Sequence, residues 1–416
     1  MKSRLVFLTK TFPFASGEEF IENELPTVAA NFDKVILIAT SVPDGAAKTR
    51  TVPDNVEVHA IRASEVNKAL LRLTAGYFFH FPAEYGSESD RLAVRRSPEK
   101  RLFRAYFLAK GLTVARKASA ILAKTDLAQA GGVTFYSYWF YDTALAAIAL
   151  KRACTARRCR VYSRAHRYDL YPENSQAKYL PLRPFLLKNL DGVFPCSEDG
   201  SSYLKSTYPE WTAKISTAYL GTSDHGPGPE QEKPVFRLAS CCHISPVKRV
   251  ELLAQALAAL GNTGLQLEWV HFGGGDGLES LREYTAANLG FMKVTFAGEV
   301  SNQELMRYYR ENRVDLFVNT SASEGLPVSI MEACSFGIPV AATDVGGTRE
   351  IVHDGQNGFL LSPEGKPEEL AELLARFCRM EQMERASMRT ASRKIWEDNF
   401  NASANYERFA EKIYPR

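Results

Sequence analysis

A chain of 416 residues with 45% hydrophobic and 24% charged side chains is too long for one compact core and suits two globular domains. Disordered, collagenous and coiled-coil classes are excluded. A formal net charge of +3 provides no general field for nucleic acid, so any basic surface has to be local.

In chain order the first half repeats a short β-branched or aromatic run, a polar or glycine-containing loop and a helical stretch. Strands are predicted at residues 4–9, 35–39, 56–60, 133–136, 160–163 and 192–196. Ser16 and Glu19 have the spacing of a capping box, and Ile21, Leu25 and Val28 supply the apolar stripe of the helix that follows. Residues 71–124 lack strand alternation and read as helices rich in aromatics such as Phe79, Phe103, Tyr106 and Phe107. They are equally rich in bases such as Arg91, Arg95, Arg96, Arg101 and Arg104. Either this is a solvated face over core aromatics or it is a surface that meets an anionic membrane.

Residues 224–234 contain three prolines and two glycines without apolar periodicity, which marks a linker. Beyond it the alternation resumes, with strands predicted at 237–241, 267–272, 294–297, 315–319 and 339–342 and helices at 250–260 and 303–311. The fold class is therefore α/β, with two Rossmann-like, doubly wound parallel-sheet domains: an N-terminal domain at 1–225 and a C-terminal domain at 235–397. Ligands of such sheets bind at the carboxyl ends of the strands, so two domains facing each other would place the working site in a cleft.

The longest aliphatic run, 144–150, is far below the roughly 18 apolar residues that span a bilayer. Residues 1–14 are broken by Lys10 and Pro13 and do not read as a secretory signal. Seven cysteines, an odd set with no Cys-x-x-Cys pair, point to a reducing cytoplasm. The adjacent Cys241 and Cys242 are expected to be buried thiols. No Asp-x-Asp pair or His/Asp cluster has divalent-metal spacing, so no cofactor or required metal is expected.

The segment 319–340 is the most informative. A strand ends near Asn319, and Pro327 fits the first helical position, so a helix begins beside Gly325 and Leu326. Its free N–H groups form an anion site for a phosphate or a polarised sugar oxygen. Glu324 stands at that mouth. Glu332 lies about two turns further on, where a carboxylate can accept from a vicinal diol such as that of ribose. Spacing alone leaves open a dipole-favouring acid at 324 and a solvated helix-face acid at 332.

The whole segment resembles the Glu-x7-Glu motif of retaining glycosyltransferase family 4, a two-domain GT-B group. The resemblance continues through 341–352 and 354–360. It implies a nucleotide-sugar donor held by Glu324, Gly325, Leu326, Pro327 and Glu332. The family's strand-loop that holds a basic pair against the donor diphosphate matches 240–249: Lys248 aligns with its lysine, and His243 stands where arginine is usual, a departure that Arg249 could offset. Gly273, Gly274 and Glu299 lie in loops that are beside the nucleotide in the family. Gly17 matches its amino-terminal glycine loop, with Glu18 alternatively a first-turn helix acid. His166, at the end of a strand, resembles the histidine that contacts the donor sugar, although Arg167 replaces the glycine after it. A lone histidine is otherwise more often a structural group. Residues 398–416 look like the last helices, which cross back onto the first domain.

The resemblance thus implies a metal-independent retaining transferase, acting with Glu324, His166 and Lys248, that moves a sugar to a glycan or lipid-linked saccharide in bacterial surface polysaccharide assembly. It would be cytoplasmic, with peripheral contact to an anionic membrane and no nucleic-acid partner. A nucleotide-sugar epimerase shares the fold but matches 324–332 less well. The alternative of another class is a non-catalytic descendant acting as a binding or partner subunit, which the His243 departure keeps open.

Overall fold

The computed structural model describes residues 3–415 except Ser16 and Glu232. Twelve strands are present among them: β1 (Ser3–Thr9), β2 (Lys34–Val42), β3 (Val56–Arg62), β4 (Gly132–Ser137), β5 (Cys159–Ala165), β6 (Gly192–Pro195), β7 (Phe236–Cys241), β8 (Leu267–Phe272), β9 (Lys293–Gly298), β10 (Leu316–Asn319), β11 (Val340–Thr343) and β12 (Gly358–Leu361). They form two six-stranded sheets, ordered β3-β2-β1-β4-β5-β6 and β12-β11-β10-β7-β8-β9. Every pairing is parallel. Numbered within its own half, each sheet has the doubly wound order 3-2-1-4-5-6. The chain therefore reverses direction beside β1/β4 in one sheet and β7/β10 in the other, the points where such sheets bind ligands.

The chain divides into two units, Met1–Leu220 with Ser403–Arg416, and Gly221–Ala402. The proline-rich stretch 224–234 thus belongs to the second unit. There Asp224 pairs with Arg393 at 2.8 Å and the Gly228 amide donates to the Phe336 carbonyl at 2.9 Å. Strand interiors such as Leu5–Leu8 and Val35–Ala39 are wholly buried, as expected where helices cover both faces. The second core is built on Leu238, Trp269, Leu316 and Val318 with Leu253 and Leu374 from helices.

Several local expectations need correction. The helix after β1 spans Ile21–Ala30 with Phe20 as its cap, so Glu18 and Glu19 precede it. The Glu19 carboxylate accepts from the Gly17 amide at 2.6 Å; the Ser16 half of the expected box lies outside the described residues. Pro327 caps the helix Val328–Ser335 rather than opening it: its ψ of 108° is extended, and its carbonyl accepts from Ile330 and Met331. Cys241 and Cys242 are half-buried rather than buried, because β7 ends at Cys241 and the chain turns into a loop. Among the described residues no helix is long and apolar enough to cross a membrane.

Candidate functional site

In the second unit the loops leaving β7 and β10 are stitched across the switch point. The Ala322 amide donates to the Val247 carbonyl at 2.7 Å, and the Thr320 hydroxyl donates to the carbonyls of Lys248 (3.0 Å) and Arg249 (2.9 Å). This brings the Lys248 ammonium to Glu324, where it donates to Oε1 at 2.7 Å; the side chains are 27% and 11% exposed. Asn319 Nδ2 approaches the same oxygen at 3.3 Å. Two predicted residues from loops 76 apart in sequence thus form one charged pair. Gly346 explains how the Glu324 loop is held. With φ of +54°, a Cβ there would stand 2.0 Å from the Glu324 carbonyl, so only glycine permits the approach, and the Gly347 amide donates to the Gly325 carbonyl at 2.7 Å. Leu326 and Pro327 are buried beneath this turn.

Arg249 is placed differently from the sequence expectation. In a left-handed backbone conformation, φ +47°, it turns its guanidinium to the carbonyls of Thr320 (2.8 Å), Ser321 (3.2 Å), Pro363 (3.1 Å) and Glu364 (2.6 Å). Those acceptors occupy the fork, which makes Arg249 a clamp on the β10 and β12 loops rather than a spare cation. His243 is exposed, and the structure does not join it to the Lys248–Glu324 pair.

The glycine loop after β8 does join this region. Gly273 has φ +132°, and a Cβ would meet the Cys242 carbonyl at 2.0 Å, while the Ile244 amide donates to the Gly274 carbonyl at 2.7 Å. Glu299 is exposed and leans over Gly274, whose Cβ would be 3.3 Å from the Glu299 carboxylate. Glu332, on the helix Val328–Ser335, accepts from Asn302 Nδ2 at 2.6 Å. The residue keeps some surface, yet burial pushes its carboxyl up to about 7, against the lowering effect of Asn302. Asn302 and Asn319 were not singled out in the sequence; no local pattern distinguishes them from other polar residues.

In the first unit, side chains collect at the carboxyl ends of β1, β4 and β5. Glu18, in a left-handed conformation with φ +58°, turns back so that its carboxylate accepts from the amides of Lys10 (2.9 Å), Thr11 (2.7 Å) and Phe12 (2.8 Å). It also accepts from Trp139 Nε1 at 2.6 Å. The helix-acid reading of Glu18 is thereby replaced: it fills an amide cradle made by its own loop. Gly17, with φ +87° and open space around it, lets that loop turn. The Lys10 ammonium lies 4.7 Å from the Trp139 ring centroid, a cation–π contact.

His166 follows β5 and is 9% exposed. Its ring nitrogen Nε2 is 3.1 Å from the Tyr138 carbonyl, and its ring lies against those of Tyr138 and Trp139, with centroids at 4.7 and 4.9 Å. Asp169 fixes the turn, accepting at 2.6 Å from the amides of both His166 and Phe140. Burial, and then the nearby charges of Arg164 and Lys10, pushes His166 down to about 3. The ring is therefore neutral at physiological pH, with its single N–H at Nε2 donated to the Tyr138 carbonyl, so it offers no further donor and does not act as a cation. Lys10 and Trp139 were not singled out in the sequence, because they meet His166 only through strand order, whereas Asp169 follows His166 by three residues in the segment that resembles the family's.

Among the described residues no group of three or more His, Cys, Asp or Glu side chains could hold a metal ion.

Comparison with known proteins places these features. Residues 229–395 match the model of the glycosyl transferases group 1. The chain is 37% identical over 114 residues to the O-antigen biosynthesis glycosyltransferase WbnH of Escherichia coli, covering 27% of this chain and 30% of that protein. It is 29% identical over 182 residues to the amylovoran biosynthesis glycosyltransferase AmsK of Erwinia amylovora, covering 42% and 44%. The matched stretches thus span less than half the length of either relative. Among solved structures, Anabaena HepE in complex with UDP and glucose aligns over 98% of both chains with a TM-score of 0.62 at 17% identity. That likeness, with the two sheets above, establishes the GT-B fold. The stretch that matches the glycosyl transferases group 1 model, residues 229–395, holds Lys248, Glu324 and Glu332.

Proposed function

We propose that the chain is a retaining glycosyltransferase that moves a sugar from a nucleoside diphosphate donor to a hydroxyl of a glycan or lipid-linked saccharide in bacterial surface polysaccharide assembly. The observation that carries this reading is the Lys248–Glu324 pair at the β7/β10 switch point, inside the segment that matches the family. Relatives named for O-antigen and amylovoran biosynthesis and a fold neighbour holding UDP and glucose support the substrate classes.

In this reading the donor diphosphate takes Lys248 from Glu324, and the ammonium stabilises the charge that develops as the nucleoside diphosphate departs. Glu324, released, orients the donor sugar by accepting from its hydroxyls. The loop glycines Gly273 and Gly274 and the turn at Gly325 let backbone approach the donor, Glu332 accepts from the ribose diol, and neutral His166 contacts the transferred sugar. No metal or cofactor is assigned. We place the chain in the cytoplasm, with the exposed Arg91, Arg95, Arg96 and Arg101 beside exposed Leu92 as a peripheral contact to anionic lipid. The exposed, unjoined His243 favours the second reading, a descendant that binds nucleotide without turnover.

Thermal stability against UDP, GDP, ADP and CMP tests the donor site. One nucleotide at about 100 times its dissociation constant should add about 2.7 kcal/mol, and Glu332→Ala should remove the effect while the unliganded protein remains folded. Stabilisation unchanged in the variant would refute the ribose assignment. Binding without turnover would favour the second reading.

Acidity gives a separate check. Only the ionised Glu332 accepts both hydrogen bonds, and its carboxyl is raised to about 7. Nucleotide affinity should therefore weaken as pH falls through that value, by roughly tenfold at one unit below it. Glu332→Gln should flatten the profile; a profile equally steep in that variant would assign the titration elsewhere.

A further inference from the structure

Two thiols meet in the first unit at the start of β5, the end of that strand opposite His166. Cys154 caps the helix Asp142–Ala153, and Cys159 opens β5. The loop between them brings the Cys159 thiol to 2.9 Å from the Cys154 sulfur, to which it donates. Both residues keep some surface, so a solute in water reaches them. Cys196, Cys334 and Cys378 are buried, and no contact of this kind joins them.

The surroundings of the pair are cationic. Residues 151–160 hold five bases and no acid. Asp191 neutralises two of them, Lys151 at 2.7 Å and Arg160 at 3.4 Å, and Arg152 donates to Asn189 Oδ1 at 3.0 Å. Arg157 and Arg158, within the loop between the thiols, are exposed, and no ion pair engages them among the described residues. Positive charge beside a thiol favours its thiolate and concentrates an anionic reagent nearby. The two sulfurs are not equivalent. Burial, and then the hydrogen bond to Cys154, pushes Cys159 up to about 12, so Cys159 is the protonated member and its S–H supports negative charge on Cys154.

We propose that Cys154 and Cys159 form a reversible redox site whose co-substrate is an anionic low-molecular-weight disulfide of the glutathione type. The Cys154 thiolate attacks one sulfur of that disulfide, breaking its S–S bond, expelling one thiolate and leaving a mixed disulfide on Cys154. Cys159 gives its proton to solvent and attacks the Cys154 sulfur, which forms the intrachain bond and expels the second thiolate. The chain gives up two electrons and two protons; the co-substrate takes the two electrons and leaves as two thiols. Excess thiol reverses both steps, so in a reducing compartment the bond is transient. None of this depends on the transferase reading.

Incubation of the reduced full chain with glutathione disulfide, followed by alkylation and peptide mass mapping, tests the site. Of the seven thiols two should be lost, and the peptides holding Cys154 and Cys159 should stay joined until dithiothreitol separates them. Cys159→Ser should stop at a mixed disulfide on Cys154, whereas Cys154→Ser should leave Cys159 free. Cystamine, a cationic disulfide, isolates the charge effect. Replacing both arginines, Arg157→Gln with Arg158→Gln, should lower the ratio of the glutathione-disulfide rate to the cystamine rate about tenfold. Two peptides that remain unjoined under excess oxidant, a Cys154→Ser chain in which Cys159 reacts as fast as the wild-type pair, or a rate ratio indifferent to the arginines would each overturn the proposal.

Discussion

Replacing Lys248 by alanine is expected to lower donor turnover about 10²–10³-fold while leaving the fold intact, the loss seen when one preorganised group facing developing charge is removed. The stability effect should be small. The pair with Glu324 is partly exposed at 27% and 11%, and such pairs contribute on the order of 0–1 kcal/mol. Its backbone is held independently, since the Thr320 hydroxyl binds the Lys248 carbonyl at 3.0 Å and the Ala322 amide binds Val247. Lys248→Arg should recover part of the rate, because the charge returns without the compact ammonium geometry. Release of nucleoside diphosphate from the donor identified by thermal shift measures all three proteins. A Lys248→Ala enzyme that retains more than a tenth of the wild-type rate would remove Lys248 from the reacting centre. A variant that loses rate and several kcal/mol of stability together would make it a structural residue.

The neighbouring base shows why sequence alone could not divide the roles. Lys248 and Arg249 are adjacent, and a pattern of bases after a strand does not say which one faces a ligand. The decision comes from four carbonyls on loops 71 to 115 residues away, which saturate the Arg249 guanidinium and leave the ammonium to meet Glu324. The strand end, turn and helix around Glu324, Gly325, Pro327 and Glu332 were legible within a single segment, but their assignment to a donor came from the family resemblance, because spacing alone left a dipole-favouring acid and a solvated acid open. Even there the partners of the two carboxylates, Asn319 and Asn302, come from packing and have no signature. Most strands were visible as apolar runs, whereas β12 opens on Gly358 and contains no β-branched residue, so it did not register as a strand. Glu18 was misread because an acid beside Gly17 resembles a helix start. Only the left-handed turn at Glu18 itself shows that the carboxylate points back into its own loop.

Arg164→Met is expected to destabilise the first unit by about 3–5 kcal/mol, the cost of leaving one member of a buried ion pair alone. Arg164 on β5 and Glu24 on the helix Ile21–Ala30 are both wholly buried and joined at 2.9 Å. The Tyr136 hydroxyl donates to the other Glu24 oxygen at 2.6 Å, and Arg164 also donates to the Ala218 carbonyl at 2.6 Å. Its guanidinium lies 4.2 Å from the Phe409 ring centroid, so one side chain ties β5, the first helix and the last helix together. Burial already raises the Glu24 carboxyl despite Arg164. A raised folded-state value means that Glu24 contributes stability at low pH, lost as pH rises through that value. Without Arg164 the value rises further, so the deficit of the variant should be largest at alkaline pH and shrink under mild acid, where Glu24 enters the core protonated. Glu24→Gln added to Arg164→Met should recover at least part of the loss, because the amide still pairs with Tyr136 and carries no charge. Amide hydrogen exchange in β1, β4 and β5 reports this unit by itself. Protection lowered by less than about 1 kcal/mol, or a deficit that grows on acidification, would show that the pair is not what joins these three elements.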